Sequence, residues 1–347
     1  MVTQEKIAEK LNISRSTVSR ALAGKNINPK TKELILKTAK EMGYVQNIVA
    51  SSLATKHAKK IYAFIVGTVD EGYSKCVCNG INDAAKFWAG YNFEVKIIMT
   101  NIKEDSDQRV LQMEQFFDVI NNQNPDGIIF SALSYDNMKT VSEICDKKNI
   151  PLMTLDMIYT NTNLCHVGPD YYMLGTYSAA YVSQLIMRKG TILTLTYDDH
   201  YEIGLERMRG FIEKLEDYPN INVVDVKIDK MNKNVYFNVL DEYLSKIDPV
   251  AIYAPYHVEY IAQYIDKKNL VDKHYCLIAN GINDYIEHYL FNGIISGIVS
   301  ARPYSLGKIV TNNFFKYFYR QNEMLRGNID ITVDIYIKEN YKRFDDL

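Results

Sequence analysis

The chain has 347 residues, of which 47% are hydrophobic, and a formal net charge of −2 at pH 7. The sequence has neither the charged-then-apolar start of a secretory signal nor an uninterrupted apolar run long enough to span a bilayer. We therefore expect a cytoplasmic protein without membrane association, and five scattered cysteines suit reduced thiols.

The near-neutral total conceals a basic head on an acidic body. Residues 1–60 contain 12 Lys and Arg against 4 Asp and Glu, a net of +8, which leaves −10 for residues 61–347. A basic head is attracted to phosphates, and an acidic body is repelled by them. A helix bundle with solvated lysines would give the same count, so the charge alone leaves both interpretations open.

Residues 3–24 predict two short helices joined by a tight turn at Asn12 and Ile13. Apolar residues recur at helical spacing and can share one small core. They are Ile7, Ala8, Leu11, Val18, Ala21 and Leu22. Ser14 is the predicted N-cap of the second helix, because its hydroxyl can accept from an otherwise unpaired backbone N–H. Arg15 and Ser16 then stand at the front of that helix, where a recognition helix meets base edges.

A third amphipathic helix is predicted over residues 32–42. Pro29 lies just before it, where a fixed φ favours the start of a helix. Gly43 is predicted to end it, as glycine commonly does.

The stretch from Lys6 to Thr55 carries I-A-x-x-L-x-I-S-x-S-T-V-S-R-A-L, then K-T, G-Y and N-x-x-A-x-x-L. So many positions at fixed spacing resemble the head and hinge of the LacI/GalR family of bacterial transcription regulators. The resemblance implies a helix-turn-helix DNA-binding domain over residues 1–45 and a hinge helix with linker over residues 46–60. It also implies a two-lobed effector-binding and dimerisation domain over residues 61–347.

The resemblance further implies which residues contact DNA. They are Thr3, Ser14, Arg15, Ser16, Thr17, Ser19, Arg20, Asn47, Ala50 and Leu53. Of these, Arg15, Ser16 and Arg20 would face the major groove, where Arg can bond a guanine edge in bidentate fashion. Thr17 and Ser19 would lie near phosphates.

In the implied hinge helix, which orders on operator DNA, Leu53 would wedge into the minor groove, with Ala50 close to the backbone. Gln46 stands where the family usually has proline, which leaves the start of the hinge freer. The alternative is that residues 47–54 form an ordinary linker helix packed on the body.

From residue 61 onward, apolar β-branched runs alternate with amphipathic segments of helical length. Strands are predicted at 61–66, 93–99, 127–130, 151–155, 191–196, 223–228, 251–254 and 276–279, with helices that include 108–121, 138–148, 174–187, 205–215 and 258–268. This alternation predicts an α/β body with parallel sheets covered by helices. Its length predicts two lobes, which is the periplasmic-binding-protein-like body that the resemblance also implies.

A cleft at the carboxyl ends of the strands, between two such lobes, is a natural place for a small ligand. Asp70, Glu71 and Tyr73 follow the first predicted strand, and Asp156 follows the fourth. The resemblance to sugar-binding bodies implies that Arg207 is aimed at ligand oxygens. Alternatively, Asp156 caps a turn, Arg207 forms a surface ion pair and Tyr73 belongs to the core.

The second lobe departs from the sugar-binding pattern. Tyr256 and His257 replace Asn-Asp, the sequence Ala279-Asn280-Gly281 replaces Gly-x-Asp, and Arg302 follows an alanine that stands in place of the expected Gln. We therefore expect a sugar-like effector that is larger, modified or acidic. His257 and Arg302 could also serve structure alone.

The body contains no pattern typical of a nucleophile elbow, a phosphate loop or a zinc protease. Asp198 to His200 is predicted to be a loop, and Cys76-Val77-Cys78 has no second pair of metal ligands. We predict a homodimeric repressor rather than an enzyme, with double-stranded operator DNA and a carbohydrate-like effector as partners and with neither cofactor nor metal. The alternatives are a regulator whose body responds to a partner protein, a binding module with an inactive head, and a sugar-acting enzyme.

Overall fold

The computed structural model describes residues 2–22, 27–44, 58–67, 72–101, 108–156, 165–197, 202–228, 232–320 and 323–341. The predicted loop at Asp198 to His200 lies outside these ranges.

Three N-terminal helices share one apolar core, as predicted for the first two. They are α1 (Gln4–Leu11), α2 (Arg15–Leu22) and α3 (Pro29–Glu41). One fully buried residue comes from each helix, and the three belong to a single apolar cluster: Ile7, Val18 and Ile35. Burying branched apolar side chains on three short helices is what stabilises them, because isolated helices of this length are marginal in water.

The ends of these helices follow local chemistry. The Ser14 hydroxyl accepts from the Thr17 N–H at 3.1 Å, which confirms the predicted cap. The prediction that α3 begins near residue 32 is wrong. It begins at Pro29, because the Asn28 side chain accepts from the Lys30 N–H at 3.0 Å and caps the helix earlier. Gly43, with φ +66°, follows the end of α3 as predicted.

Two six-stranded sheets form the body. The strands in chain order are β1 (Lys59–Gly67), β2 (Phe93–Asn101), β3 (Gly127–Ser131), β4 (Leu152–Leu155), β5 (Cys165–Gly168), β6 (Gly190–Tyr197), β7 (Ile221–Ile228), β8 (Ala251–Tyr253), β9 (Cys276–Ala279), β10 (Gly297–Ala301), β11 (Gly327–Asp330) and β12 (Val333–Tyr336). Lobe 1 has the order β11-β5-β4-β3-β1-β2 and is parallel throughout. Lobe 2 has the order β12-β10-β9-β8-β6-β7, in which only β12 pairs antiparallel.

Helices cover both faces of each sheet. They are α4 (Gly72–Trp88), α5 (Gln108–Asn122), α6 (Tyr135–Lys148), α7 (Tyr171–Leu185), α8 (Glu202–Leu215), α9 (Lys233–Ile247), α10 (Val258–Lys267), α11 (Asp284–Phe291) and α12 (Pro303–Tyr319). Helices α4, α5, α6 and α12 pack in lobe 1, and the others pack in lobe 2. The chain therefore crosses between the lobes at residues 169–170, at residue 302 and at residues 331–332.

The eight predicted strands are present with ends shifted by two residues at most, and β1 begins two residues before the predicted start of the body. Strands β5, β10, β11 and β12 were missed. Each has only four or five residues, of which at least one is polar, so neither a continuous apolar run nor a regular alternation marks it. Strand β11 is also hard to predict because it begins with Gly-Asn and is mostly exposed at the edge of the sheet.

The backbones of helices α7 and α8 are in contact, which fixes the position of one helix relative to the other. A Cβ on Gly175 would lie 1.9 Å from the Arg207 carbonyl oxygen, and a Cβ on Gly210 would lie 2.0 Å from the Tyr172 carbonyl oxygen. Only glycine fits at these two positions, because van der Waals contact needs about 3.5 Å.

Candidate functional site

Asp156 lies at the carboxyl end of β4 and receives three hydroxyl hydrogen bonds. Its Oδ1 accepts from the Tyr73 hydroxyl at 2.7 Å and from the Tyr171 hydroxyl at 3.1 Å, and its Oδ2 accepts from the Ser131 hydroxyl at 3.2 Å. Ser131, Tyr73 and Asp156 belong to lobe 1, whereas Tyr171 is the first residue of a helix that packs in lobe 2. The carboxylate therefore joins the two lobes.

Arg207, on α8, stands beside this cluster. Its guanidinium carbon lies 5.0 Å from the centre of the Tyr171 ring and 5.5 Å from that of the Tyr256 ring. Its Nη1 donates to the Pro255 carbonyl at 3.0 Å. Its Nε is buried and has no hydrogen-bond partner among the residues described. The site thus presents a cation between aromatic rings, with a buried donor, Nε, available to another group.

Burial raises the pKa of the Asp156 carboxyl, whereas the three hydroxyl bonds and the charge of Arg207 oppose that rise. Burial, followed by the nearby charge of Asp156, raises the pKa of the Tyr73 and Tyr171 hydroxyls well above 10.0. Both tyrosines are therefore protonated at neutral pH. They remain hydrogen-bond donors to the carboxylate.

Tyr256 follows β8, and both its carbonyl group and its ring contact neighbouring residues. Its carbonyl accepts from the Tyr236 hydroxyl at 3.2 Å, and its ring packs so tightly on Gly204 that a Cβ there would lie 2.4 Å from ring carbon Cε2. Beside this ring lies a cavity of about 150 Å³. Its lining is mainly apolar and consists of Thr196, Gly204, Leu205, Met208, Arg209, Ile212, Pro255 and Tyr256.

The structure brings together four of the predicted effector residues: Tyr73, Asp156, Arg207 and Tyr256. Two others are engaged elsewhere. His257 Nδ1 lies 2.9 Å from Oε1 of the buried Glu259, and Arg302 makes a forked pair with Asp334 at 2.5 and 3.1 Å. Both arrangements match the structural role that the sequence left open for them. Asp70 and Glu71 lie outside the residues described.

Sequence reasoning missed Tyr171 and Ser131. Ser131 ends β3, so the rule that selected Asp156 at the end of a strand could have found it. Tyr171 could not be found this way, because it follows β5, which was not predicted. The hydroxyl of Tyr171 reaches Asp156 across the lobes, a contact that local sequence does not reveal.

In the head, one side of α2 is exposed. Arg15, Ser16, Ser19 and Arg20 are all exposed, whereas Val18 is buried. Arg15 and Ser19 are four residues apart, as are Ser16 and Arg20, so the two pairs form adjacent rows on the helix surface. This exposed face is called the α2 face below. It carries two guanidinium groups and two hydroxyls, the donor set that suits base edges and phosphates.

The other predicted DNA-contacting residues of the head have local partners. The Ser14 hydroxyl lies 2.7 Å from the Ser16 hydroxyl and 2.8 Å from that of Thr17, and the Thr3 hydroxyl accepts from the Lys6 N–H at 3.3 Å. These contacts fix the starts of α1 and α2. Asn47, Ala50 and Leu53 lie outside the residues described.

Within the described ranges, no helix is both long and apolar enough to cross a membrane. In the same part of the chain, no three His, Cys, Asp or Glu side chains are grouped so that they could hold a metal ion.

The body matches the family described as periplasmic binding protein domain over residues 62–318. The chain is 24% identical over 222 residues to the NTD biosynthesis operon regulator NtdR of Bacillus subtilis (strain 168), which covers 63% of this chain and 62% of the relative. It is 30% identical over 174 residues to the HTH-type transcriptional regulator RegA of Clostridium saccharobutylicum, which covers 46% of this chain and 49% of the relative. The matched parts thus span about half to three-fifths of these relatives, both of which are regulators by name.

Among solved structures, the chain resembles an ABC transporter solute-binding protein from Burkholderia graminis C4D1M in complex with D-arabinose. The TM-score is 0.71 at 17% identity, and the match covers 82% of this chain and 98% of that one. A likeness at this identity shows a shared fold.

Proposed function

The chain belongs to the periplasmic binding protein domain family, and on that premise we propose that it is a DNA-binding transcriptional regulator. Its head reads an operator, and its body binds a small sugar-like effector between the lobes. The observation that carries the proposal is the three-helix head with its exposed α2 face, on the same chain as a two-lobed binding body.

The charge distribution supports separate roles for the head and the body. A net of +8 over residues 1–60 favours contact with phosphates, and −10 over the remainder keeps the body away from them. Arg15 and Arg20 carry the donors that distinguish guanine edges, and a good bidentate pair contributes about 1–3 kcal/mol of discrimination. A homodimer would present two heads to the half-sites of a palindrome.

The cleft supports control by a ligand. The charge of Arg207, in lobe 2, acts on the Asp156 carboxyl, in lobe 1, so a molecule bound between them contacts both lobes. A ligand that binds one lobe arrangement more tightly than another shifts their populations. A coupling of about 1–3 kcal/mol between effector and operator is sufficient for regulation.

The test is selection of bound duplexes from random DNA with the full-length protein, followed by fluorescence anisotropy on the selected palindrome and on its scrambled version. We expect strong preference for the palindrome and affinity that falls steeply between about 50 and 200 mM salt. Failure to prefer any palindrome over scrambled DNA, with or without candidate metabolites, would contradict the proposal.

Arg20→Ala and Lys37→Ala form a matched pair, because each removes one exposed positive charge from the head. Arg20→Ala should weaken binding to the palindrome by about 10-fold or more per half-site, the equivalent of a lost base contact. Lys37→Ala, on α3, should reduce the affinity for both duplexes to a similar small extent. Equal effects of the two variants on the preference would remove the α2 face from recognition.

A further inference from the structure

Three hydroxyl groups of the chain itself already bond the carboxylate that would accept hydroxyl groups of a sugar. Oδ1 of Asp156 accepts from both Tyr73 and Tyr171, and Oδ2 accepts from Ser131. Each carboxylate oxygen offers about two lone-pair sites, so Oδ1 is saturated. A plain sugar must displace a tyrosine hydroxyl to use that oxygen.

Arg207 presents the opposite situation. Its Nε is a buried donor with no partner among the described residues, whereas Nη1 is bound to the Pro255 carbonyl. An unpaired buried donor costs free energy that a ligand acceptor would recover. The cleft therefore favours a ligand that brings an acceptor.

The charges distinguish an anionic acceptor from a neutral one. The positive charge of Arg207 already acts on the Asp156 carboxyl, where it opposes the rise in pKa caused by burial. A ligand carboxylate beside Arg207 would add a second negative charge near Asp156, and like charges within about 4–6 Å disfavour one another. A neutral carbonyl oxygen satisfies Nε without that repulsion.

Two residues that contact Arg207 also border apolar space. Pro255 and Tyr256, which contact Arg207, also line the cavity of about 150 Å³ with Leu205, Met208 and Ile212. A group that combines a carbonyl oxygen with a small apolar end would use both features. An acyl amide has this combination, and its plane can lie against a tyrosine ring.

We propose that the cleft selects an N-acyl amino sugar over plain aldoses and uronates, and that Tyr73 and Tyr171 enforce this selection. The acyl carbonyl accepts from Arg207 Nε, and the acyl methyl enters the cavity beside Tyr256. The tyrosine hydroxyls occupy Oδ1 of Asp156 and so disfavour ligands that need this oxygen as an acceptor. This inference rests on the proposed function, in which the cleft binds a sugar-like effector.

The test is isothermal titration of the full-length protein with three probes in both gluco and galacto forms: the aldose, the uronate and the N-acetyl amino sugar. The native protein should bind one N-acetyl sugar at least tenfold more tightly than the corresponding aldose and uronate. Tyr73→Phe/Tyr171→Phe frees Oδ1 and should bind the aldose at least tenfold more tightly than the native protein does. Tyr177→Phe, at an exposed position on α7, is the matched control and should behave as the native protein.

Leu205→Trp is a second variant, at a half-exposed position that lines the cavity. It should weaken binding of the N-acetyl sugar at least tenfold and leave aldose binding unchanged. The inference is overturned if the native protein binds none of the probes, if it prefers an aldose or a uronate, or if the double tyrosine variant keeps the native selectivity. Operator selection with the same preparation tests the proposed function separately, because the ranking of sugars requires no DNA.

Discussion

Asn280→Leu should destabilise lobe 2, because Asn280 is a buried junction of three elements. Its Oδ1 accepts from the Tyr253 hydroxyl at 2.6 Å, and its Nδ2 donates to the Ser178 hydroxyl at 2.8 Å and to the Val299 carbonyl at 3.2 Å. Leucine has a similar size but makes none of these bonds. Ser178 keeps its bond to the Leu174 carbonyl at 2.9 Å, whereas the Tyr253 hydroxyl loses its acceptor at 2.6 Å.

An orphaned buried polar group costs about 1–3 kcal/mol, and each lost hydrogen bond costs about 0.5–1.5 kcal/mol. We therefore expect Asn280→Leu to lower the free energy of unfolding by about 3 kcal/mol. In thermal unfolding this corresponds to a decrease in Tm of roughly 6–12 °C for a lobe of this size.

The double variant Tyr253→Phe/Asn280→Leu provides the control, because it removes the orphaned hydroxyl as well. It should be more stable than Asn280→Leu alone, since the stacked Phe211 and Tyr253 rings, 3.7 Å apart, are retained by phenylalanine. If the double variant is no more stable than the single one, or if Asn280→Leu melts within 1 °C or so of the native protein, the reasoning is wrong. Success would mark Asn280 as structural at a position where sugar-binding relatives have a Gly-x-Asp segment.

Two further predictions concern the hinge and the effect of pH. Leu53→Ala should lose specific operator affinity and keep non-specific DNA binding in the same anisotropy assay, because a lost wedge removes the kink but not the phosphate contacts; unchanged operator preference would contradict this. Burial lowers the pKa of His166 from 6.5 to about 4. Between pH 6.5 and pH 4 the unfolded chain therefore binds more protons than the folded protein, so this contribution to stability should be complete above pH 6.5 and fall as the pH approaches 4. Urea unfolding should show a loss of about 3 kcal/mol over that window, and His166→Gln should remove this loss; an equal loss in both proteins would show that other groups cause it.

The sequence predicted those parts of the fold and site that depend on local pattern. Regular alternation identified eight of the strands, and the rule that ligand groups follow strands selected Asp156. Arg207 and Tyr256 came from the comparison with the family pattern. All three lie in the cluster that the structure brings together.

The remainder depends on partners distant in sequence. Arg302 is paired with Asp334 on β12, a strand that was not predicted, and Tyr171 reaches Asp156 only because β5 leads the chain into lobe 2. His257 is turned by its own positive φ of 56° towards the buried Glu259. A polar residue at a strand end therefore identifies a candidate, but its neighbours decide whether its donors remain available.

The three crossings between the lobes have a consequence for biosynthesis. Lobe 1 needs α12 and β11, and lobe 2 needs β12, so the sheet of lobe 1 is incomplete until residue 330 has left the ribosome and that of lobe 2 until residue 336 has done so. Vectorial folding, in which an N-terminal domain matures before the next is made, is unavailable to this body. A nascent chain arrested after residue 320 would expose the edges of β5 and β10, the kind of unpaired strand that recruits chaperones or aggregates.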